Sequence, residues 1–125
     1  MYGRLVYFYK KFFDKTFKEF DYKKLSFKSL TSTEILNLYS MSNVILDINH
    51  PGQTGLTMRT FEAIGARKKI ITTNSEIKKY KFYNSKNIFV IDRDNIQLEK
   101  SFFDGEYENI DSVLYDKMSI EGWLN

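Results

Sequence analysis

The fold is decided by residues 44–74, VILDINHPGQTGLTMRTFEAIGARKKIITTN, which read as one complete strand, loop, helix and strand unit. VILDI at 44–48 and IITT at 70–73 are short β-branched runs of the kind found in buried strands. The segment between them has helical spacing, and we predict that its helix begins with Leu56 and Thr57. Strands that alternate with helices predict an α/β fold with a mostly parallel sheet, because right-handed strand-helix-strand crossovers join parallel strands.

The rest of the chain continues this alternation. We predict an aromatic amphipathic helix over residues 5–20 and a short strand over 25–30. Thr31 or Ser32 can cap the next helix, and Thr31 forms a capping-box pattern with Glu34. The buried stripe of that helix is expected to be Ile35, Leu36, Leu38 and Tyr39. Beyond the central unit we predict a helical turn at Glu76–Tyr80, a strand at Asn87–Asp92, a weak helix up to Phe103, a helix at Ser112–Met118 and another that begins at Ser119.

The composition is that of one globular domain. With 125 residues, 42% of them hydrophobic and 17% aromatic, the chain can bury a sizeable core. It has no cysteine, which excludes disulfides, thiolate metal ligands and cysteine nucleophiles, and its single histidine cannot form a metal site alone. We therefore expect no bound metal and no cofactor.

Charge and hydropathy indicate where the protein acts. The net charge of +3 comes from scattered lysines and predicts no nucleic-acid partner. The apolar run in MYGRLVYFYKK at 1–11 is too short for a signal peptide, and no stretch reaches the ~18 apolar residues of a membrane span. We expect a soluble cytoplasmic protein. The basic aromatic helix at 5–20 either packs on the sheet or lies on a membrane surface.

Polar side chains collect where two neighbouring strands end. Ligands of open α/β sheets bind at the carboxyl ends of the strands. Gly55 precedes the predicted helix, whose first N–H groups carry about half a positive charge and form a potential anion site; an ordinary loop glycine is the alternative. We therefore expect a binding site formed by Asn49, His50, Gln53, Thr57, Arg59, Thr73 and Asn74.

Three groups of residues each have two interpretations. Arg59 and Glu62 share a helix face, so they form either a surface salt bridge or a site in which Arg59 holds a diphosphate and Glu62 holds vicinal hydroxyls. Asp47 lies late in its strand, where a carboxylate needs partners, so it is either hydrogen-bonded to loop N–H groups or functional. Thr72, Thr73 and Asn74 end the next strand, and they either bind a sugar or cap the following turn.

The central unit resembles the nucleotide-sugar-binding half of GT-B glycosyltransferases. The match lies in Gly55-Leu56-Thr57, in FEAIGA at 61–66 and in KIITTN at 69–74. More narrowly, DINHPGQTGLTMRTFEAIGARKKIITTN followed by YKFYNSKNIFVIDRDN is similar to bacterial proteins of lipopolysaccharide, capsule and exopolysaccharide synthesis. In that family the loop-to-helix segment binds the donor diphosphate and a glutamate on the helix binds the ribose, which implies these roles for residues 55–57 and for Glu62.

The chain also departs from the family pattern. Retaining GT-B enzymes commonly have a second glutamate eight positions before the first, where this chain has Thr54, and the neighbouring Gln53 is the expected substitute. A GT-B enzyme has two Rossmann-like domains, and the resemblance, which runs from about Lys10 to Trp123, covers one. We therefore expect residues 1–125 to be a single, partial C-terminal donor-binding domain with a Rossmann-like three-layer fold, without the acceptor-binding N-terminal domain.

The resemblance implies the donor-binding domain of a glycosyltransferase that acts in bacterial surface polysaccharide synthesis at the inner membrane face. Its partners would be a nucleotide-sugar donor and a missing acceptor-binding domain, so we expect it to be inactive alone. The sequence identifies no catalytic residue. One alternative is a non-catalytic interaction or membrane-docking module. The other is a receiver-like signalling domain, in which Asp47 would be the phosphoacceptor and Thr72 or Thr73 would end the next strand.

Overall fold

The computed structural model describes residues 28–119, in which a three-stranded parallel sheet is combined with four α-helices. The chain divides into two compact units, Met1–Ile35 and Leu36–Asn125, and the sheet belongs to the second. This is a small α/β protein, compatible with a Rossmann-like fold. In chain order the elements are α1 (Ser32–Met41), β1 (Val44–Asp47), α2 (Met58–Gly65), β2 (Lys69–Thr72), a 3₁₀ helix (Ser75–Lys79), β3 (Ile88–Val90), α3 (Lys100–Asp104) and α4 (Ser112–Lys117).

The sheet has the strand order β1-β2-β3, and both pairs are parallel. Asp47, Thr72 and Val90 lie side by side at the carboxyl end of the sheet. The Ile91 N–H extends the pairing by one bond, since it donates to the Thr72 carbonyl at 2.9 Å. The predicted parallel sheet is therefore confirmed, and the three strand ends form one edge from which the following loops start.

Helices α2 and α3 cover opposite faces of the sheet. Ile71 packs with Ile91 and with Phe102 of α3, and Val44 packs against these three residues. Asp47 instead contacts α2, through Thr60. Because successive side chains of a strand point to opposite faces, Val44 and Ile71 mark the face under α3, while Asp47 marks the face under α2. The buried isoleucines of β2 can therefore pack on both sides.

Helix α1 begins with the predicted capping box. The Thr31 N–H donates to Glu34 Oε2 at 2.8 Å, and the Glu34 N–H donates to Thr31 Oγ1 at 3.3 Å. The predicted buried stripe of this helix is confirmed for Tyr39 and wrong for Leu36 and Leu38, which are 68% and 52% exposed, while Ile35 is half-buried. Tyr39 is the buried residue of this helix.

Helix α2 begins at Met58, so the prediction that Leu56 and Thr57 open it is wrong by two residues. Thr57 has an extended backbone, and its side chain accepts a hydrogen bond from the Thr60 N–H, which makes it the N-cap. At the other end, Arg67 has a φ of 52°, and its N–H donates to the Ile64 carbonyl at 3.0 Å. This left-handed residue ends the helix.

The remaining predictions have mixed outcomes. The turn after β2 is the 3₁₀ helix, and the helices predicted near residues 103 and 112–118 are α3 and α4. The strand predicted over 25–30 is wrong in its described part, because residues 28–30 are irregular and exposed, without a neighbouring strand among the described residues. The helix at 5–20 and all but the first residue of the helix from Ser119 lie outside the described residues. None of the described helices is long and apolar enough to cross a membrane.

Candidate functional site

The loop after β1 is a tight turn. The Gln53 N–H donates to the His50 carbonyl at 3.0 Å, and Gly52 has a φ of 85°. Pro51 and Gly52 occupy the two central positions, which is the pattern of a type II turn. The Asn49 amide nitrogen donates to the Gln53 carbonyl at 3.1 Å and ties the turn to the end of the strand. The turn thus holds Asn49 in place at the carboxyl edge.

The ends of all three strands meet in one hydrogen-bonded cluster. Thr73, directly after β2, donates from Oγ1 to Asn49 Oδ1 at 2.5 Å. Arg93, three residues after β3, donates from Nη2 to the Asn49 carbonyl oxygen, and the same Nη2 lies 3.2 Å from Thr73 Oγ1. We call Asn49, Thr73 and Arg93 the strand-edge cluster. The guanidinium of Arg93, in the loop after β3, thus connects the loop after β1 with the loop after β2.

The charge of Arg93 has no counter-ion among the described residues. The salt bridges found within residues 28–119 join Lys79 to Glu76 and Lys86 to Glu108. Arg93 itself is exposed, and the hydrogen bonds described for it all start from Nη2. The strand edge therefore carries a fixed positive charge with free donors.

Asn74 is a structural residue. It is 4% exposed, its Nδ2 donates to the Gly55 carbonyl at 3.0 Å, and its Oδ1 accepts from the Glu76 N–H at 3.1 Å. It therefore caps the 3₁₀ helix and fixes the Gly55 loop at the same time. A methyl group added at Gly55 would meet no atom within 4 Å, so the protein itself leaves open space beside this glycine.

The start of α2 already holds a carboxylate. Asp47 is 3% exposed, and its Oδ2 accepts hydrogen bonds from the hydroxyls of Thr57 at 2.7 Å and Thr60 at 2.6 Å. Asp47 is hydrogen-bonded, as predicted, but the predicted loop N–H partners are wrong, because the donors are side-chain hydroxyls at the start of the helix. Because a second anion beside Asp47 would be repelled, the helix start is a poorer phosphate site than its N–H groups alone would indicate. Leu56, in the same segment, is half-buried.

Glu62 is paired with a tyrosine and makes no ion pair with Arg59. The Tyr39 hydroxyl donates to Glu62 Oε2 at 3.0 Å. Burial, and then the hydrogen bond to Glu62, raise the pKa of Tyr39 to about 12. Arg59 is exposed and forms no hydrogen bond or salt bridge with the described residues. Glu62 is exposed as well, so its carboxylate is oriented by Tyr39 and still reachable from solvent.

A pocket of about 250 Å³ lies beside Glu62. No residue of the strand-edge cluster lines this pocket. The predicted site residues therefore form two groups, one at the strand edge and one on α2. The Tyr115 hydroxyl donates to the Gly65 carbonyl at 2.8 Å and so links α4 to the end of α2. The described residues that line the pocket are Met58, Phe61, Glu62, Ile64, Gly65, Tyr115, Met118 and Ser119.

His50 and Gln53 point into solvent at the turn. His50 Nδ1 lies 2.7 Å from the Pro51 carbonyl oxygen, and because that oxygen only accepts, Nδ1 carries the proton. Both side chains are exposed, and the Gln53 amide forms no hydrogen bond with the described residues. Neither side chain forms a hydrogen bond with a residue of the strand-edge cluster, so the structure gives no contact that directs them towards Arg93.

A larger cavity of about 780 Å³ runs along β3 and α3, away from every predicted site residue. Its wall includes Lys69, which is 5% exposed and donates from Nζ to the carbonyls of Phe102 at 2.6 Å and Gly105 at 2.5 Å. The Lys69 ammonium also lies 5.0 Å from the centre of the Phe102 ring. These contacts explain the buried lysine as a clamp on the end of α3.

Neither a metal centre among the described residues nor a known relative assigns a function to this site. Within residues 28–119, no three carboxylate, histidine or cysteine side chains come together as a metal site would require. Comparison of the chain with protein-family models, with curated proteins and with solved structures finds no match. The site is therefore defined by its own geometry.

Sequence reasoning missed Arg93 and Tyr39 as members of the site. The signal for Arg93 was a cation soon after the third strand of a parallel sheet, since the carboxyl ends of such strands share one edge. Tyr39 carries no comparable signal, because its pairing with Glu62 depends on how α1 packs against α2.

Proposed function

We propose that the described residues form part of the donor-binding domain of a GT-B glycosyltransferase that uses nucleotide-sugar donors. The observation that carries the proposal is the strand-edge cluster, in which side chains from three parallel strand ends converge around an unpaired guanidinium. A nucleotide sugar has an anionic diphosphate, and the carboxyl edge of a Rossmann-like sheet is where such ligands bind.

Glu62 supports the same proposal from the flank of α2. Its helix position matches the ribose-binding glutamate of the family it resembles, and Tyr39 orients the carboxylate through Oε2. Oε1 forms no hydrogen bond with the described residues, so it is free to accept one from a ribose hydroxyl. Glu62 lies four residues after the first residue of α2, about 6 Å along the axis at 1.5 Å per residue. Donor diphosphate and ribose are covalent neighbours, so the proposal requires one ligand to contact both the strand edge and Glu62.

The biological setting follows from this proposal. Transfer to an acceptor would need a second wall that faces this edge, because the donor and acceptor must be held together in a closed cleft. We propose surface polysaccharide synthesis at the cytoplasmic face of the inner membrane as the process. We expect these residues alone to bind a donor weakly and to transfer nothing.

The receiver-like alternative has less support. A phosphoacceptor aspartate must be reached by the phosphoryl donor, whereas Asp47 is 3% exposed and accepts two hydroxyl hydrogen bonds. The interaction-module alternative depends on the helix predicted at 5–20, which lies outside the described residues. Neither alternative accounts for the unpaired arginine at the strand edge.

Calorimetric titration with uridine, guanosine and cytidine diphosphate sugars tests the proposal. We expect one nucleotide class to bind and Glu62→Ala to remove most of that binding. Glu106→Ala is the matched control, because Glu106 is an exposed carboxylate that bonds no described residue. If no donor binds, or if Glu62→Ala binds as well as wild type, the proposal is wrong.

A further inference from the structure

The strand edge and the start of α2 compete as anion sites, and their charges differ. At the start of α2 the buried Asp47 carboxylate accepts from Thr57 and Thr60. At the strand edge the fixed charge is the Arg93 guanidinium, and no described carboxylate lies within ion-pair distance of it. An anion is therefore attracted to the strand edge and repelled at the helix start.

The cluster also orients Arg93. Its Nη2 is held by the Asn49 carbonyl and by Thr73 Oγ1, so the guanidinium plane is fixed relative to two loops. Nε and Nη1 donate to no described residue. Because Nη2 is taken by Asn49 and Thr73, Nε and Nη1 remain as charged donors that can each donate to a phosphate oxygen. Asp92, the preceding residue, forms no ion pair with Arg93, and its Oδ1 accepts from the Asp94 N–H at 2.9 Å.

We propose that Arg93, positioned by Asn49 and Thr73, is the residue that binds the phosphate of the ligand, which is a phosphate or diphosphate ester. The inference rests on the proposed function for the identity of that ester as a nucleotide-sugar donor. It differs from the family pattern, which assigns the diphosphate to the segment at residues 55–57. If Arg93 binds the phosphate, the loop at Gly55 contributes space for the ligand but no charge.

The test is a titration of the whole chain with inorganic pyrophosphate, a nucleoside diphosphate and the nucleoside alone. The first two should bind, and Arg93→Ala should weaken both by about tenfold or more, because hydrogen bonds to charged groups contribute about 1.5–3 kcal/mol. Lys117→Ala is the matched control, since Lys117 is an exposed cation without a described partner and should leave binding unchanged. Binding should weaken as salt rises, because the site is exposed.

A second readout covers the case in which Arg93→Ala does not fold. In wild-type protein labelled at arginine, pyrophosphate should shift the Nε–H signal of Arg93 and leave that of Arg67 in place. Arg93→Lys should retain the charge and lose most of the affinity, because one ammonium cannot replace both the Nη2 bonds to Asn49 and Thr73 and the separate donors on Nε and Nη1.

The outcomes separate the two proposals. Arg93-dependent binding of pyrophosphate without binding of any nucleotide sugar would support the anion site and overturn the proposed function. Donor binding that Arg93→Ala leaves unchanged would support the proposed function and overturn the anion site. If pyrophosphate neither binds nor shifts the Arg93 signal, the anion site is also overturned.

Discussion

The Tyr39 hydroxyl donates a hydrogen bond to the Glu62 carboxylate at 3.0 Å and joins α1 to the helix that carries the proposed ribose-binding residue. Tyr39 is the residue of α1 that is buried, so the same side chain anchors the helix and orients the carboxylate. This dual role makes the pair sensitive to pH.

Stability should fall at alkaline pH through Tyr39. The folded protein holds its pKa at about 12, above the value of about 10 in an unfolded chain. The contribution of Tyr39 is therefore fully present below pH ~10 and is lost as the pH rises through about 12. Urea unfolding of wild type and Tyr39→Phe between pH 8 and 12 measures it. Burial also raises the pKa of Tyr107. Its contribution to the pH dependence of stability is the same in both proteins. An equally steep fall in Tyr39→Phe would contradict the assignment.

Removal of the buried carboxylate should destabilise the protein strongly. Asp47→Ala leaves the hydroxyls of Thr57 and Thr60 without their acceptor, and we expect a loss of about 2–4 kcal/mol in the free energy of unfolding. Asp116→Ala, at an exposed carboxylate of α4, should change it by less than about 0.5 kcal/mol. Urea denaturation compares the two. Equal effects would mean that the Asp47 hydrogen bonds contribute little.

Loss of the Lys69 hydrogen bonds to the end of α3 should destabilise the protein as much as loss of Asp47. Lys69→Met retains most of the aliphatic chain but leaves the carbonyls of Phe102 and Gly105 without a donor, which should cost about 2–4 kcal/mol. Lys78→Met is the control, since Lys78 lines the same cavity but is exposed, and it should be nearly neutral. Thermal unfolding followed by circular dichroism measures both. A neutral Lys69→Met would show that water replaces the ammonium at these carbonyls.

Thr73 should affect anion binding through Arg93. Thr73→Val conserves the shape of the side chain but removes the hydroxyl that bonds Asn49 and accepts from Arg93. We expect pyrophosphate affinity to fall by about threefold to tenfold, the equivalent of one hydrogen bond, with a broader Arg93 Nε–H signal. Thr33→Val, at an exposed site of α1, should change neither quantity. An unchanged Arg93 signal in Thr73→Val would show that Asn49 alone positions the guanidinium.

The sequence predicted the fold better than the site. β-Branched runs and the Thr31 cap are local signals, so β1, β2 and the start of α1 could be placed from their own residues. The strand-edge cluster joins residues 44 positions apart in the chain, and Arg93 stands among charged neighbours in an exposed loop, where a cation usually needs no explanation. Likewise, whether Asn74 would grip a ligand or cap the next helix depended on which groups the fold placed beside it.

The most direct test of the donor site is a titration of isotope-labelled protein with the nucleotide sugar that binds best, followed by amide chemical shifts. We predict that the largest shifts fall on Asn49, Thr73 and Arg93, together with Glu62. Shifts confined to the cavity along β3, around Lys69 and Phe102, or no shifts at all, would contradict the account.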